Sequence, residues 1–395
     1  MKFYIFNLMV NKSFLLLIIY LLFSSVKSED YKSYIANLDL NLEEIQVVTE
    51  DRYVNTIWAL TSKNQFNRNG KSIIVQHGLL DSSFTWLILE DKSITKLLCE
   101  EGYKVYLPNM RGNQFSKSHL DFDTSLNSKY WDFSFDEMAK YDLPSIVNLI
   151  KKRDGVEKVD YMGHSQGTLI FFLAYMNNPD FMEKNINRFI AVGTVPNVNN
   201  AEHFLLPLGV KSNIAELIPV KNFMTFPTEL GKVLVPFCTG KAKNLCHTVM
   251  RICFGGLEDT GRVDYDRLGK NIFMHQPGGT SLQNMKHWLQ AFDKKEMTKY
   301  DYGNIIDNLY YYGSVTPPKY DLSKMKNYKI KSLIAVSDAD PFCNPIDTLE
   351  FLLKIDDQSV IEILSLKDYN HIDYLWADSA YEDIYPKVLN FLDQD

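Results

Sequence analysis

The chain has 395 residues, of which 46% are hydrophobic and 13% aromatic, and this composition excludes a largely disordered protein. Its net charge is -7, and no basic stretch carries interleaved aromatic residues, which excludes nucleic acid as a partner. A chain of this length can bury a large core, either as one α/β domain or as a domain with an insertion.

The first 28 residues have the pattern of a secretory signal peptide. Lys2 and Lys12 precede an apolar run at 14–23, and Val26 and Ser28 would occupy positions -3 and -1 of a cleavage site. A signal anchor or membrane helix is the alternative, but the apolar run is short for a full span. No later segment is long and apolar enough to cross a bilayer. We therefore expect a soluble, monomeric mature chain of residues 29–395 in the secretory pathway.

The chain has five cysteines, Cys99, Cys238, Cys246, Cys253 and Cys343. An odd number leaves at least one unpaired within the chain. Cys238, Cys246 and Cys253 lie close together in the sequence, which favours a local bridge among them in an oxidising compartment. The N-glycosylation pattern N-x-S/T occurs only at Asn11, inside the predicted leader.

Strand patterns recur along the chain in an order typical of an α/β protein. We expect residues 29–43 to form a polar arm, followed by two antiparallel strands at 44–49 and 54–60. Short buried-strand patterns follow at 72–76, 104–108, 159–162, 189–194, 330–336 and 360–364. Helical stretches separate most of them, so the sequence predicts a mostly parallel central sheet flanked by helices.

The alternation of strands and helices is interrupted between about residues 197 and 307. This stretch contains many Pro, Gly, Phe and Leu residues in short amphipathic pieces. An insertion between two strands usually lies at the carboxyl edge of the sheet, above the active site. We interpret it as a helical cap that carries a mobile lid; an ordinary helical excursion without a gating role is the alternative.

Residues 163–167 read G-H-S-Q-G, with a strand pattern before them and a helix pattern after them. A strand, a glycine-flanked serine and a helix form the nucleophile elbow, in which the serine hydroxyl is held clear of the backbone. Glycines flank the serine because side chains there would collide with the neighbouring strand and helix. The pattern makes Ser165 the candidate nucleophile.

A serine hydroxyl needs a base, and the base needs an acid. His371 follows the last predicted strand, where a loop can bring its imidazole to the serine. The loop after the strand at 330–336 offers Asp340, with Asp338 and Asp347 as alternatives. The order Ser, Asp, His is that of the α/β-hydrolase fold. We choose Asp340, although spacing alone leaves the alternatives open.

Two backbone N–H groups are needed to stabilise the oxyanion of the tetrahedral intermediate. One normally belongs to the residue after the nucleophile, here Gln166, and the other to the loop after an early strand. The second donor is therefore expected at Leu79, in the loop that begins His77-Gly78. No metal-ligand cluster, phosphate loop or dinucleotide fingerprint is present, so we expect neither a metal nor a cofactor.

Several stretches are more specific than G-x-S-x-G: HGLL at 77–80, RGN at 111–113, FSFDEMAKYDLP at 133–144, GHSQG at 163–167, GGTSLQNM at 278–285 and YNHID at 369–373. Through them the chain resembles the acid lipases of the α/β-hydrolase fold, typified by lysosomal acid lipase and gastric lipase, from about residue 45 to the C-terminus. The resemblance implies a Ser165–Asp340–His371 triad with oxyanion donors at Leu79 and Gln166.

The resemblance also implies a cap disulfide between Cys238 and Cys246, a lid in the stretch before Cys238, and a secreted or lysosomal location. The missing sequons of the mature chain do not support a mannose-dependent lysosomal route. The expected function is hydrolysis of lipid esters, triacylglycerols or cholesteryl esters, at a lipid–water interface. A soluble carboxylesterase, a non-catalytic lipid carrier and a thioesterase or amidase are the alternatives, because fold does not fix function.

Overall fold

The computed structural model describes residues 31–64, 70–203, 215, 218–224, 235–255 and 260–394, with the backbone alone at 252–255. The predicted signal peptide lies outside the described residues, as does most of the stretch before Cys238 in which the lid was expected. The side chain of Cys253 is also outside them.

One large sheet organises the described part of the chain, and its strands run in the order β1-β2-β4-β3-β5-β6-β9-β10. Only β2 is antiparallel to its neighbours, and all the other pairs are parallel. The strands are β1 Leu40–Val48, β2 Val54–Ser62, β3 Ser72–Gln76, β4 Lys104–Pro108, β5 Val159–Ser165, β6 Ile186–Thr194, β9 Lys331–Ser337 and β10 Ile361–Leu366, and a separate pair consists of β7 Asn222–Phe223 and β8 Thr280–Ser281. The predicted mostly parallel sheet is confirmed.

Burial explains which strands form the middle of the sheet. Every residue of β3 and β5 is buried, as expected for strands covered on both faces. The edge strand β1 alternates between buried and exposed residues over its second half, and the other edge strand, β10, is mostly exposed. The site described below lies at the carboxyl ends of the central strands, where turns and helices follow.

Helices cover both faces of the sheet. Their bounds are α1 Tyr31–Asn37, α2 Ile94–Glu100, α3 Phe135–Glu137, α4 Leu143–Asp154, α5 Gln166–Asn177, α6 Pro179–Asn185, α7 Lys243–Gly255, α8 Tyr265–His275, α9 Leu282–Lys294, α10 Ile305–Tyr312, α11 Pro345–Leu352, α12 Asp373–Trp376, α13 Ala380–Asp383 and α14 Tyr385–Asp393. Short 3-10 helices span Ser83–Leu87, Glu90–Lys92, Lys129–Trp131, Leu322–Met325 and Gln358–Val360, and a π-helical turn, Met138–Asp142, joins α3 to α4. Helix α5 is buried from Gln166 to Met176, because it is apolar on all sides.

The predicted polar arm at 29–43 is wrong for its described part. Residues 31–37 form α1, and β1 already begins at Leu40. Tyr34, Ile35, Leu38 and Leu40 are buried in the core on one face of the sheet. Tyr31, Tyr34, Ile35 and Leu38 are spaced i, i+3, i+4 and i+7 in a polar context, and this spacing is that of a short amphipathic helix.

The chain leaves the sheet after β6 and returns to it at β9. We call the residues between them, 195–330, the inserted region. Its described part contains α7 to α10 and the β7–β8 pair, and a disulfide joins Cys238 to Cys246, as the resemblance implied. Within the described ranges, no helix combines the length and the apolar composition that crossing a bilayer requires.

Two of the sequence motifs meet in a buried ion cluster. The Arg111 guanidinium lies 2.6 Å from an Asp142 oxygen and 2.5 Å from an Asp51 oxygen, and its central carbon lies 3.9 Å from the centre of the Tyr53 ring. The Arg111 and Asp142 side chains are both fully buried. The cluster therefore ties the turn after β4 to the helical run that begins at α3.

Candidate active site

Ser165 is the last residue of β5, and α5 begins at the next residue. Its backbone has φ 53° and ψ -121°, a strained conformation for a residue with a side chain. The flanking glycines are required by close contacts. A Cβ on Gly163 would lie 2.9 Å from the Gly167 carbonyl carbon, and a Cβ on Gly167 would lie 2.7 Å from the Gln76 oxygen. The local geometry is that of a nucleophile elbow.

His371 lies in the loop between β10 and α12, and its Nε2 is 2.8 Å from Ser165 Oγ. The loop is fixed by its own polar side chains. Asn370 Oδ1 accepts from the backbone N–H of Ile372 and of Asp373, both at 3.1 Å, and the Asp373 carboxylate accepts from the Asn370 N–H at 2.8 Å. The imidazole is thus held against the serine by a rigid turn.

Asp340 completes the chain of contacts from the other side of the imidazole. Its two oxygens lie 3.1 and 3.0 Å from His371 Nδ1. One of them also accepts from the backbone N–H groups of Phe342 and Cys343. Burial alone would raise the pKa of Asp340, but the His371 charge and these hydrogen bonds outweigh it and hold the pKa below its ordinary value. The carboxylate is therefore ionised and can accept a hydrogen bond from Nδ1–H.

The two alternative carboxylates lie elsewhere. Asp338 is exposed and accepts from the Asp368 N–H at 2.9 Å. Asp347 is buried, but its oxygens bind the backbone N–H and the side-chain amide of Asn200, both at 2.8 Å. Of the three candidates from the sequence, only Asp340 contacts His371.

The loop expected to supply an oxyanion donor lies directly against the serine. A Cβ on Gly78 would be 3.0 Å from the Ser165 Cβ, so the backbone that carries Leu79 passes beside the nucleophile. Gln166 is the first residue of α5, and the N–H groups of a first helical turn have no partner within the helix. The positive end of the helix dipole is also directed at this point.

Two further histidines of the glycine motifs are buried near the site. Burial lowers the pKa of His77 to about 4, and burial together with the His371 charge lowers that of His164 to about 3. His164 Nε2 donates to the His371 carbonyl oxygen at 2.8 Å. His77 Nε2 accepts from the Met110 N–H at 3.2 Å. Both rings are neutral and orient neighbouring backbone, so neither competes with His371 as the base.

Sequence reasoning missed a thiol beside the imidazole. Cys343 is buried and unbridged, and its Sγ lies 3.3 Å from His371 Nδ1 and 3.1 Å from the Gly193 carbonyl oxygen. Burial and the nearby Asp340 charge raise the pKa of this thiol well above its ordinary value, so it is protonated. Its position three residues after Asp340, in the same loop, was the available signal.

Asp340, Cys343 and His371 also form the group of possible metal ligands found among the described residues. Their ligand atoms lie within 4.8 Å of one another. The carboxylate and Nδ1 in this group already bind each other, so an ion there would compete with the contact that orients the imidazole.

Sequence reasoning also missed the contacts of the Gln166 side chain. Its Oε1 accepts from Asn284 Nδ2 at 2.9 Å and from Trp288 Nε1 at 2.7 Å, and all three residues are buried. Asn284 belongs to the GGTSLQNM stretch, which had no assigned role. The stretch itself was the signal, but its contact partner lies 118 residues away along the chain.

Family profiles match the N-terminal half of the protein. Residues 71–231 match a family described as the alpha/beta hydrolase fold, and residues 31–90 match one described as a partial alpha/beta-hydrolase lipase region.

Individual relatives match over most of the chain. Gastric triacylglycerol lipase of Bos taurus is 33% identical over 357 residues, which cover 89% of this chain and 87% of the relative. Human lysosomal acid lipase/cholesteryl ester hydrolase is 32% identical over 360 residues, with coverage of 89% and 87%. Human lipase member K is 30% identical over 397 residues, with coverage of 95% and 96%.

Solved structures agree with the fold. The lip1 protein of Acinetobacter baumannii AYE has a TM-score of 0.51 at 13% identity, and the match covers 93% of this chain and 99% of that one. A carboxylesterase of Nitrososphaera gargenis has a TM-score of 0.52 at 11% identity, with coverage of 88% and 97%. At such low identity these matches concern the fold alone.

Fold and relatives together define the class of protein: the chain is a carboxylic ester hydrolase of the α/β-hydrolase fold. Within that class it belongs to the acid lipase family, with gastric triacylglycerol lipase and lysosomal acid lipase. The predicted fold, family and enzyme class are confirmed.

Proposed function

We propose that the protein is a serine lipase in which Ser165 is the nucleophile, His371 the general base and Asp340 the acid that orients it. The observation that supports these roles is the continuous line of contacts from Ser165 Oγ through both nitrogens of His371 to the Asp340 carboxylate. Asp340 accepts a hydrogen bond from Nδ1–H, so Nε2 presents its lone pair to the serine hydroxyl.

The reaction follows from this arrangement. Ser165 Oγ attacks the ester carbonyl carbon while His371 Nε2 takes the hydroxyl proton. The N–H groups of Leu79 and Gln166 hold the resulting oxyanion, a contribution of about 3–4 kcal/mol per donor in comparable enzymes. The C–O bond to the alcohol breaks as His371 returns the proton to the leaving oxygen. Water then attacks the acyl-Ser165 ester in the same way, and a fatty acid leaves.

We propose triacylglycerols and cholesteryl esters as the substrates. Relatives at 33% and 32% identity carry the names triacylglycerol lipase and cholesteryl ester hydrolase. Trp288 of the inserted region packs on Phe135 of α3, with ring centres 5.1 Å apart, and donates to the Gln166 side chain, so the insertion places an apolar residue next to the nucleophile elbow. Residues 197–307 are proposed to form the cap over the acyl chain, with a lid in the part before Cys238. No step of this reaction needs a metal or a cofactor.

We further propose that residues 1–28 direct the chain into the secretory pathway and are removed near Ser28. The Cys238–Cys246 disulfide supports an oxidising compartment. The names of the gastric and lysosomal relatives agree with a secreted or lysosomal location. The enzyme is proposed to act as a monomer at a lipid–water interface.

The test is hydrolysis of emulsified triolein and of a cholesteryl ester, at acidic and neutral pH, by wild type and Ser165→Ala. We expect fatty acid release that falls by about 10⁶-fold in Ser165→Ala, as when the nucleophile of other serine hydrolases is removed. Ser323→Ala, at an exposed serine, is the matched control.

Other outcomes would replace the proposal. Cleavage of only a soluble short-chain ester would make the protein a carboxylesterase, and cleavage of a thioester or amide alone would change the reaction class. Lipid binding without any hydrolysis would make it a carrier.

A further inference from the structure

Helix α10 is built with its polarity reversed for a helix in water. Apart from Asp307, its exposed side chains are apolar or aromatic: Ile306 is 78% and Tyr310 81% exposed, and Ile305, Leu309 and Tyr311 are also exposed. The side chain that points inward is polar, since Asn308 is only 3% exposed. A helix of a globular protein normally buries its apolar stripe and exposes its polar face.

The inward polar contacts hold this helix rigidly in place. Asn308 Nδ2 donates to an Asp301 oxygen at 3.0 Å and to the Val315 carbonyl oxygen at 3.2 Å, and Asn308 Oδ1 accepts from the Tyr302 N–H at 3.1 Å. Tyr312 donates to the Tyr300 carbonyl oxygen at 2.9 Å. The apolar side chains are therefore held outward by a structured support.

The exposed face carries almost no charge. Between residues 304 and 316, Asp307 is the single charged side chain, and no Lys or Arg is present. Attraction to anionic lipid headgroups requires clusters of Lys and Arg. Aliphatic side chains interspersed with tyrosines instead match the boundary between an uncharged lipid phase and water. There the aromatic ring enters the lipid while the tyrosine hydroxyl remains hydrated.

Stacked aromatic rings connect this face to the active-site network. Tyr311 stacks on Tyr302, with ring centres 4.2 Å apart, and Tyr302 contacts Tyr300. Tyr300 contacts His287, which stacks at 4.0 Å on Phe135. The Phe135 N–H donates to Asn284, the residue that also binds the Gln166 side chain.

We propose that the outward face of α10 is a docking surface for an uncharged lipid–water interface. This proposal rests on the proposed lipase function and specifies how the enzyme meets its substrate. An exposed apolar patch of this kind marks an interaction site in soluble proteins, and the missing basic residues select neutral lipid.

The experiment measures flotation of the protein with phosphatidylcholine-coated triolein droplets. All variants carry Ser165→Ala, so that turnover does not alter the droplets. We expect Ile306→Ser/Tyr310→Ser to reduce partitioning by about 10- to 100-fold, because two side chains lose their apolar contact. Binding should persist from about 50 to about 500 mM salt, because salt screens attraction between charges and leaves apolar contacts in place.

Matched controls separate this surface from general hydrophobicity and from catalysis. Val48→Ser/Ile363→Ser removes two side chains that are 51% and 46% exposed on the two edge strands, and it should not change partitioning. When Ser165 is left intact, the Ile306→Ser/Tyr310→Ser variant should cleave a soluble short-chain ester at the wild-type rate. Unchanged flotation of this variant, binding that requires anionic lipid, or a change only in oligomeric state would overturn the proposal. Flotation without hydrolysis by wild type would refute the lipase function and leave the docking surface intact.

A second inference concerns the buried side chain of Gln166. We infer that Asn284 and Trp288 are positioning residues for the oxyanion hole, acting through Gln166. Its Oε1 receives two hydrogen bonds from α9, and its Nε2 faces Met138 Sδ at 3.6 Å. The side chain of the residue that supplies a backbone donor is thus fixed on two sides, and a donor is effective only when it is aimed in advance at the oxyanion.

The same part of the inserted region also holds the other donor loop. The Gly278 N–H donates to the Leu80 carbonyl oxygen at 2.7 Å. From the turn after β4, Asn113 Nδ2 also donates to the Asp81 carbonyl oxygen at 2.7 Å. A Cβ on Gly278 would lie 2.3 Å from that Asp81 oxygen. The stretch from Gly278 to Trp288 therefore contacts both proposed oxyanion segments.

The test is a double-mutant cycle of Trp288→Phe and Gln166→Met, assayed on a soluble ester and normalised by active-site titration. Trp288→Phe removes one of the two hydrogen bonds to Gln166 Oε1, and Gln166→Met removes both while nearly keeping the side-chain volume. We expect kcat to fall by about 10-fold or more, because small misplacements of catalytic groups are costly, with KM within about twofold. The double variant should be no worse than Gln166→Met alone, because Gln166→Met already removes the hydrogen bond from Trp288.

Gln290→Leu is the matched control on the same helix, since within the described residues the Gln290 side chain bonds to the Asp301 backbone, at 2.7 and 2.9 Å, and not to Gln166. It should leave kcat unchanged. Additive effects in the cycle, or a rise in KM at constant kcat, would overturn the positioning role. The proposed triad is tested separately by Ser165→Ala.

Discussion

The central sheet and the inserted region fix their side chains by different means. In the sheet, β3 and β5 are buried at every residue, and the turns that carry the reacting groups grow directly from these strands. In the inserted region, short helices are joined by polar side chains that bind backbone groups, such as His287 to the Thr298 carbonyl at 2.8 Å. It also leaves apolar side chains of α10 exposed.

The difference suggests a division of labour. Close packing on both faces of a sheet holds atoms to fractions of an ångström, which a reaction requires. Polar latches between short elements hold a surface in place but can be altered with local consequences. Substitutions in the sheet should therefore affect the reaction or the whole fold. Those in the inserted region should have local effects, except at residues such as Asn284 and Trp288 that contact the active site.

Among these predictions, the largest effect is expected at Asp340, the proposed triad acid at the carboxyl end of β9. In Asp340→Asn, the remaining oxygen should keep the Phe342 and Cys343 N–H groups, so the new amide would face His371 Nδ1. The imidazole would then take the wrong tautomer. By analogy with the same substitution in a serine protease, kcat should fall by about 10⁴-fold. Steady-state kinetics on a soluble ester measures it.

Asp338→Asn is the control, because Asp338 is exposed and accepts from the Asp368 N–H rather than from His371. It should retain wild-type kcat. A large loss in Asp338→Asn with little loss in Asp340→Asn would reverse the assignment.

The next effect concerns the fold of the sheet domain. Arg111→Met would leave the buried Asp142 carboxylate without its cation, and unfolding free energy should fall by about 3–5 kcal/mol. Urea unfolding followed by tryptophan fluorescence measures the change. Arg153→Met breaks an exposed pair with Glu43 and should cost less than about 1 kcal/mol. Equal losses in the two variants would contradict the role given to burial.

A smaller and local effect is expected in the inserted region. Cys246→Ser opens a bridge between residues eight apart and should destabilise that region by about 2–3 kcal/mol. Hydrogen exchange should accelerate in α7 and around Cys238, while β5 stays protected. Faster exchange in β5 to the same degree would show that the two regions unfold together, against the comparison.

A pH-dependent effect is expected at the boundary between the regions. Asp81 follows the oxyanion loop and accepts from the Gln276 side chain of the inserted region. Burial raises the pKa of Asp81 to about 7. The folded protein therefore binds a proton that the unfolded chain lacks between pH ~4 and 7, and this stabilisation is lost as pH rises through that window.

The amide side chain of Asp81→Asn does not ionise, so it stays uncharged at every pH in this window. The melting temperature of Asp81→Asn minus that of wild type should therefore be near zero at about pH 4 and should increase toward about pH 8. A difference that is constant with pH, or that grows toward acid, would contradict this boundary role.

Local sequence determined much of the fold and the nucleophile. Period and burial patterns predicted the strands to within a few residues, because alternation and apolar runs report how each strand is covered. The elbow at Ser165 was readable because the strand, both glycines and the helix are contiguous in the sequence, although the close contact that requires Gly167 is with the distant Gln76. The described part of 29–43 was mispredicted, because a polar composition concealed the spaced apolar residues around Ile35.

Only the tertiary structure decided which distant groups meet. Asp338 and Asp340 share a loop, and Asp347 lies in α11 just after it. The turn that directs Asp340 alone toward His371 depends on backbone contacts at Phe342 and Cys343. The contact of Gln166 with Trp288 spans 122 residues, and the outward apolar face of α10 depends on the inward bonds of Asn308. Sequence patterns encode turns and periods along the chain, whereas these contacts arise when separate elements pack, so they required the folded structure.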